Sequence, residues 1–299
     1  MSIEGIDSIT YGVEDLAECR RFFLDWGLQL HREAPGRLEF ATLNGCQVVV
    51  ADKNDPALPP AIEGGSTLRE VVWGADSEAD VAKCGEAGCV DPNGLAIRVR
   101  VSQKRKLDIK GVPANTWDSA RRINAPTTVY DRAHPVEVGH LVFFTESLAQ
   151  IEKFYCGRLG FHVSDRYPGR GLFLRGPETG GHHDLFVMQA TPPKRGMEHV
   201  AFTVRDIHEV FGGGLHISRC GWPTVIGPGR HPVSSAFFWY VKCPAGGMVE
   251  YYADEDVLTG AWRPREMAPI PHEFAEWAID GGLDGNTHRQ ASGPGAEPG

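Results

Sequence analysis

The sequence predicts a mixed α+β fold in which strand–helix–strand units recur and pair into two similar, open-sided sheets with helices outside. Two internal echoes and the turn chemistry lead there. Residues 7–28, D-S-I-T-Y-G-V-E-D-L-A-E-C-R-R-F-F-L-D-W-G-L, match residues 139–161, G-H-L-V-F-F-T-E-S-L-A-Q-I-E-K-F-Y-C-G-R-L-G-F. Each runs from an apolar strand through an acidic residue and Leu-Ala into a helix that ends on an aromatic pair and a glycine. P-N-G-L-A-I-R at 92–98 is echoed by P-A-G-G-M-V-E at 244–250, a turn followed by a strand in both cases. The 36 glycines and 21 prolines supply the turns that many short strands need.

Taken in order, strand-then-helix starts recur near residues 6, 67, 136 and 197. β-like runs follow the helices, L-E-F-A-T-L and C-Q-V-V-V-A in the first half, G-L-F-L-R and D-L-F-V-M in the second. The expected unit is therefore βαβββ, present four times. We expect residues 1–102 to form a scaffold domain of two units without a metal site. Residues 103–135, polar with K-R-K, Pro113 and Pro126, read as a connection. Residues 136–280 should form the catalytic domain, with Trp262 to Ile279 as a helix lying over it and Trp262 to Trp277 serving as a lid. The Gly- and Pro-rich stretch 281–299 reads as a flexible tail.

The chain has 299 residues, 41% hydrophobic and 23% charged, enough for two cores and unlike a disordered chain. Its 30 Lys plus Arg against 39 Asp plus Glu give a net charge of −9, which argues against a nucleic-acid or anionic-membrane partner. No apolar run approaches the roughly 20 residues of a spanning helix, and the start M-S-I-E-G-I-D-S does not resemble a signal peptide. The seven cysteines form no C-x-x-C pair, so reduced thiols in the cytoplasm are expected. Open sheet edges suggest a homo-oligomer.

Histidine is unevenly spread: of 12, only His31 precedes residue 134. His140, His199 and Glu250 are each one polar residue inside an otherwise apolar strand. Alternation places His199 on a face with Ala201 and Thr203, and Glu250 with Met248 and Tyr252. Buried, such groups cost several kcal/mol unless paired or bound to metal. Alone, each reads as a hydrogen-bonded structural residue. Together, two imidazoles and a carboxylate form the facial triad that holds non-haem Fe(II) with coordination sites left open, a set that Mn(II) also accepts. The sister positions in the first half are Ser8, Glu70 and Arg98, which offer no imidazole and place a cation where a ligand would sit. His183, His231 and Tyr240 cluster around this frame in sequence. Singly, a loop histidine or a core tyrosine would carry little weight.

These residues resemble the type I extradiol ring-cleavage dioxygenases of the vicinal oxygen chelate superfamily, over residues 6–280 and most strongly from Gly139 to Tyr252. W-Y-V-K-C-P-A-G-G-M-V-E-Y carries that family's terminal motif, His231 stands nine positions before its Tyr, and His182-His183-Asp184 matches the pair before the second ligand. The resemblance implies the vicinal oxygen chelate fold. It also implies Fe(II) on His140, His199 and Glu250, His183 as acid–base group, and Tyr240 and His231 bonding the substrate hydroxyls. A slip of one would select His182 instead of His183. The implied partners are a small aromatic diol and O₂, which would be inserted whole beside the diol. The alternatives are a glyoxalase-like isomerase or epimerase, disfavoured because all ligands lie in one half, and a drug-sequestering protein of the same fold. Arg175 and Arg230 are candidates for meeting a substrate carboxylate, with surface arginine as the plainer reading.

Overall fold

A computed structural model describes residues 3–84 and 88–279. The expected tail at 281–299 lies outside the described residues. In the first half, β1 (Ile3–Val13) leads to α1 (Leu16–Asp25), β2 (Gln29–Ala34), β3 (Arg37–Ala41) and β4 (Gln47–Asp52). β5 (Thr67–Ala75), α2 (Glu78–Cys84), β6 (Cys89–Val90) and β7 (Ala96–Val101) follow. In the second half, β8 (Glu137–Phe144) leads to α3 (Leu148–Arg158), β9 (His162–Tyr167), β10 (Gly171–Arg175), β11 (Gly180–Gly181) and β12 (Leu185–Met188). Then come β13 (Gly196–Thr203), α4 (Ile207–Arg219), β14 (Thr224–Arg230), β15 (Phe237–Lys242) and β16 (Met248–Ala253). The chain closes with β17 (Val257–Leu258), β18 (Arg265–Glu266), α5 (Pro271–Phe274) and β19 (Trp277–Ala278).

The helices begin where the sequence places their caps. Asp15, Ser147 and Asp206 each turn a side-chain oxygen back to the N–H three residues on, at 2.8, 3.4 and 3.0 Å. These bonds satisfy N–H groups that the first helical turn leaves without partners. The second unit departs from expectation. Among the described residues α2 is followed by two strands, one of them only two residues long, rather than three.

The strands assemble into a seven-stranded sheet, order β2-β3-β4-β1-β5-β7-β6, and a ten-stranded sheet, order β18-β9-β10-β12-β8-β13-β16-β15-β14-β19. Between them, residues 102–136 carry only the isolated Thr116–Ser119 bridge. One apolar core runs through both halves, from Phe22, Trp26 and Trp73 to Phe202 and Tyr251. Trp26 stacks on Tyr251 with ring centroids 3.5 Å apart, and the Tyr251 hydroxyl donates to the Trp26 carbonyl across 2.6 Å. The sheets therefore share a core and cannot slide freely past each other. α4 packs against β15 at a close approach that glycine permits, because a Cβ at Gly214 would lie 2.1 Å from the Trp239 ring.

Trp262 to Ile279 is not the single helix expected. It breaks into β18, the four-residue α5 and β19, with prolines at 264, 269 and 271 interrupting any longer helix. It extends the second sheet at both edges instead of covering it as a helix. β18 pairs with β9, β19 pairs with β14, and the Tyr167 hydroxyl donates to the Glu273 carbonyl at 2.9 Å.

Candidate metal centre

The three strands at the middle of the second sheet, β8, β13 and β16, are hydrogen-bonded neighbours. Their register aligns His140 with Ala201 and Ala201 with Glu250, making one row across three strands. His199 lies two residues before Ala201 and so shares its face. Ala201 is the small residue at the centre, and its methyl group leaves room for three longer side chains to converge.

Convergence is close. His140 Nε2 and His199 Nε2 are 3.2 Å apart, and each is within 3.3 Å of Glu250 Oε2, at 3.2 and 3.3 Å. A divalent cation bonded at roughly 2.1 Å to three mutually perpendicular donors needs donors about 3 Å apart, so the triangle fits. All three residues are buried, and neither carboxylate oxygen of Glu250 has a well-aligned hydrogen bond. Two imidazole nitrogens facing each other cannot satisfy the carboxylate and themselves in one protonation state, whereas a cation satisfies all three.

The electrostatics favour Glu250 and His140 as donors, while Glu198 competes for His199. Burial opposes ionisation of Glu250, but His140, His199 and His231 outweigh it and hold the carboxyl well below its ordinary range. Burial, reinforced by His183, pushes the His140 imidazole down to about 3, leaving a lone pair for a metal. For His199 burial also disfavours the cation, yet Glu198 against Nδ1 lifts it to about 9. Glu198 was not singled out in the sequence, where alternation turns it away from the site. A β-bulge explains the difference. Gly196 and Met197 pair with Phe144 and Phe143, but His199 pairs with Val142, so Glu198 is the extra residue.

The triad forms the floor of a cavity of about 350 Å³ whose lining includes His183, His231, Tyr240 and Phe274. His231 Nδ1 donates to the Phe274 carbonyl at 2.7 Å. In the neutral ring Nε2 is then an acceptor, and the Tyr240 hydroxyl 3.0 Å away donates to it. Burial, with Glu250 adding to it, raises Tyr240 well above its ordinary value, so it stays protonated. His183 lines the cavity and His182 does not. Burial, then His182, holds His183 well below its ordinary value and therefore neutral.

Glu255, five residues past Glu250 in a turn-like D-E-D, also lines the cavity; nothing in the sequence distinguished it. It lies 3.3 Å from His183 Nδ1, and burial raises it to about 7 against the pull of His140 and His182. His140, His183 and Glu255 have donor atoms close enough to form an overlapping second cluster. Arg175 is not a surface residue. It is buried, and its guanidinium donates to Ser164 Oγ at 3.1 Å and to the carbonyls of Val163, Glu178 and Thr259. Arg230 pairs with Glu276 at 3.5 Å. Neither lines the cavity.

In the first sheet the same register recurs. Ser8 aligns with Val72 and Val72 with Arg98, while Glu70 lies two residues before Val72. There Arg98 Nη2 donates to Glu70 at 2.6 Å, so a guanidinium stands in the place where the second half gathers its ligands.

Comparison with known proteins bears on the fold. The profile of the Glyoxalase/Bleomycin resistance protein/Dioxygenase superfamily matches residues 137–251. Metapyrocatechase 2 of Cupriavidus necator is 28% identical over 297 residues, covering 93% of this chain and 90% of that protein. The Mn(II)-bound glyoxalase from Novosphingobium aromaticivorans superposes with a TM-score of 0.73 at 21% identity, covering 100% of this chain and 97% of that one. The 2,2',3-trihydroxybiphenyl 1,2-dioxygenase from Sphingomonas wittichii gives 0.68 at 17% identity, covering 93% and 99%. These two superpositions establish the fold, a paired-module vicinal oxygen chelate architecture.

Proposed function

We propose that this chain, whose residues 137–251 match the Glyoxalase/Bleomycin resistance protein/Dioxygenase superfamily, is an extradiol ring-cleavage dioxygenase acting on catechols. The observation that carries the reading is the triangle of His140 Nε2, His199 Nε2 and Glu250 Oε2 at 3.2–3.3 Å, set on the floor of an apolar cavity. These residues would hold Fe(II), or Mn(II), which accepts the same donors. Bound there, the metal would supply adjacent positions for a chelating diol and O₂ and a path for electrons between them.

The chain's own residues do the rest. Tyr240, protonated and held by His231, presents a hydroxyl that bonds and orients a substrate oxygen. His183, neutral and on the cavity wall, takes up a proton at Nε2 and returns it as the ring opens. Phe173, Phe186 and Phe274 keep water from the diol. Reducing cytoplasm fits the free thiols at Cys19, Cys46 and Cys243, and a homo-oligomer fits the open edge at β2.

The test is anaerobic loading with Fe(II), removal of excess metal, then catechols and air. One O₂ consumed per ring opened, with both oxygen atoms in a yellow product, is expected. Absence of ring cleavage, with turnover of methylglyoxal and a thiol instead, would replace the dioxygenase with the isomerase.

A further inference from the structure

Among the described residues, the cavity above the triad is lined without a lysine or arginine, and its carboxylic acids besides the ligand Glu250 are Glu198 and Glu255. Beside His183 the wall is Phe173 stacked face to face on Phe186, centroids 3.9 Å apart and 5° from parallel. Beside His231 it is Phe274, with Ile226 and Met248 packed into the same small cluster. Two basic groups reach lining residues from outside the cavity without lining it themselves. Arg265 binds Asp165 and the Val233 carbonyl, and Lys194 Nζ sits 3.8 Å over the Phe144 ring.

A carboxylate on the substituent would thus enter a largely apolar cage beside two further acids, with no lysine or arginine in the lining to receive it. Such a charge loses its hydration with nothing in exchange and is repelled as well. An alkyl or aryl group gains in the same place, because packing it against this apolar wall removes both surfaces from water. The volume, about 350 Å³, is within the ordinary range for small-molecule sites.

We infer that the site selects catechols bearing an uncharged alkyl or aryl substituent and rejects those bearing a carboxylate. The inference rests on the reading of the triad as a diol-binding centre, and it names the part of the substrate that the triad does not touch.

The test pairs 4-propylcatechol with 3,4-dihydroxyphenylacetate, close in shape and different in charge, and adds 3-phenylcatechol as an uncharged aryl diol. 4-Propylcatechol, 3-phenylcatechol and 3,4-dihydroxyphenylacetate are offered to the Fe(II)-loaded protein. Binding is titrated without O₂ by the near-ultraviolet change of the bound diol, and turnover is followed with O₂. The neutral compounds should bind more tightly and show kcat/KM higher by roughly 10²-fold or more, the consequence of one unpaired charge on an apolar wall. Equal or better handling of 3,4-dihydroxyphenylacetate would overturn the inference while leaving a dioxygenase. Neutral diols bound preferentially but never cleaved would support the selectivity and sink the dioxygenase reading instead. No preference in either measurement would overturn it.

Discussion

His182 Nε2 lies 2.8 Å from Asp165 Oδ2, and this bond decides how the adjacent histidine is presented. Asp165, which also receives Arg265, is the acceptor, so His182 carries its proton on Nε2 and offers a lone pair at Nδ1. His183 Nδ1, 3.2 Å away, is then the donor, to His182 and toward Glu255. The order Asp165, His182, His183 leaves His183 Nε2 without a proton. His183→Phe should keep metal and substrate binding but slow turnover by about 10²–10⁴-fold. Single-turnover kinetics beside a substrate titration check this, and an unchanged rate would remove His183 from the chemistry.

Glu250 supplies the only carboxylate of the triangle, at 3.2 and 3.3 Å from the two imidazoles. Glu250→Ala and His199→Ala should each bring bound metal close to zero while the chain still folds, because the sheet hydrogen bonds of β13 and β16 are unaffected. Metal analysis after desalting measures this. Full retained stoichiometry would refute the triad.

Gly139 is the residue skipped between His140 and Val138 in the pairing of β8 with β13. A Cβ there would lie 1.9 Å from the Tyr252 hydroxyl and 2.7 Å from Thr203 Oγ1. Tyr252 packs on the His140 ring with centroids 4.9 Å apart. Gly139→Ala should therefore cost about 1–3 kcal/mol through overpacking and weaken metal retention together with it. The urea midpoint and metal content report the two effects.

Asp184 is buried, and burial first, with Glu255 and Glu137 adding to it, raises its carboxyl to about 7 against the Gly176 N–H and Lys104. The folded chain keeps this proton where the unfolded chain has released it. Its contribution to stability thus declines as pH rises from about 4 to about 7, then levels off. Asp184→Asn should flatten that slope in the metal-free protein and leave the variant the more stable at pH 8. Denaturant midpoints from pH 4.5 to 8 test the sign.

Much of this was legible in the sequence because period-two alternation and repeat alignment survive folding. Setting Ser8, Glu70 and Arg98 against His140, His199 and Glu250 corresponds to the same pairing row in both sheets. What alternation could not reveal was where it fails. The bulge at Glu198 turns that carboxylate onto His199, and Glu255 reaches the cavity from a turn. Arg175 reads as a surface cation until the carbonyls it binds, up to 84 residues away, are in place. The segment after Trp262 has a helix's aromatic content but prolines that break it.

The Arg98–Glu70 pair has a consequence for metal starvation. One sheet has its positive charge supplied by the ribosome; the other must acquire it from solution. Chelation should loosen the backbone amides of β8, β13 and β16 toward deuterium while β1, β5 and β7 exchange as before. The protein would then carry a permanently charged twin of its own centre, a built-in reference against which the emptied one can be read.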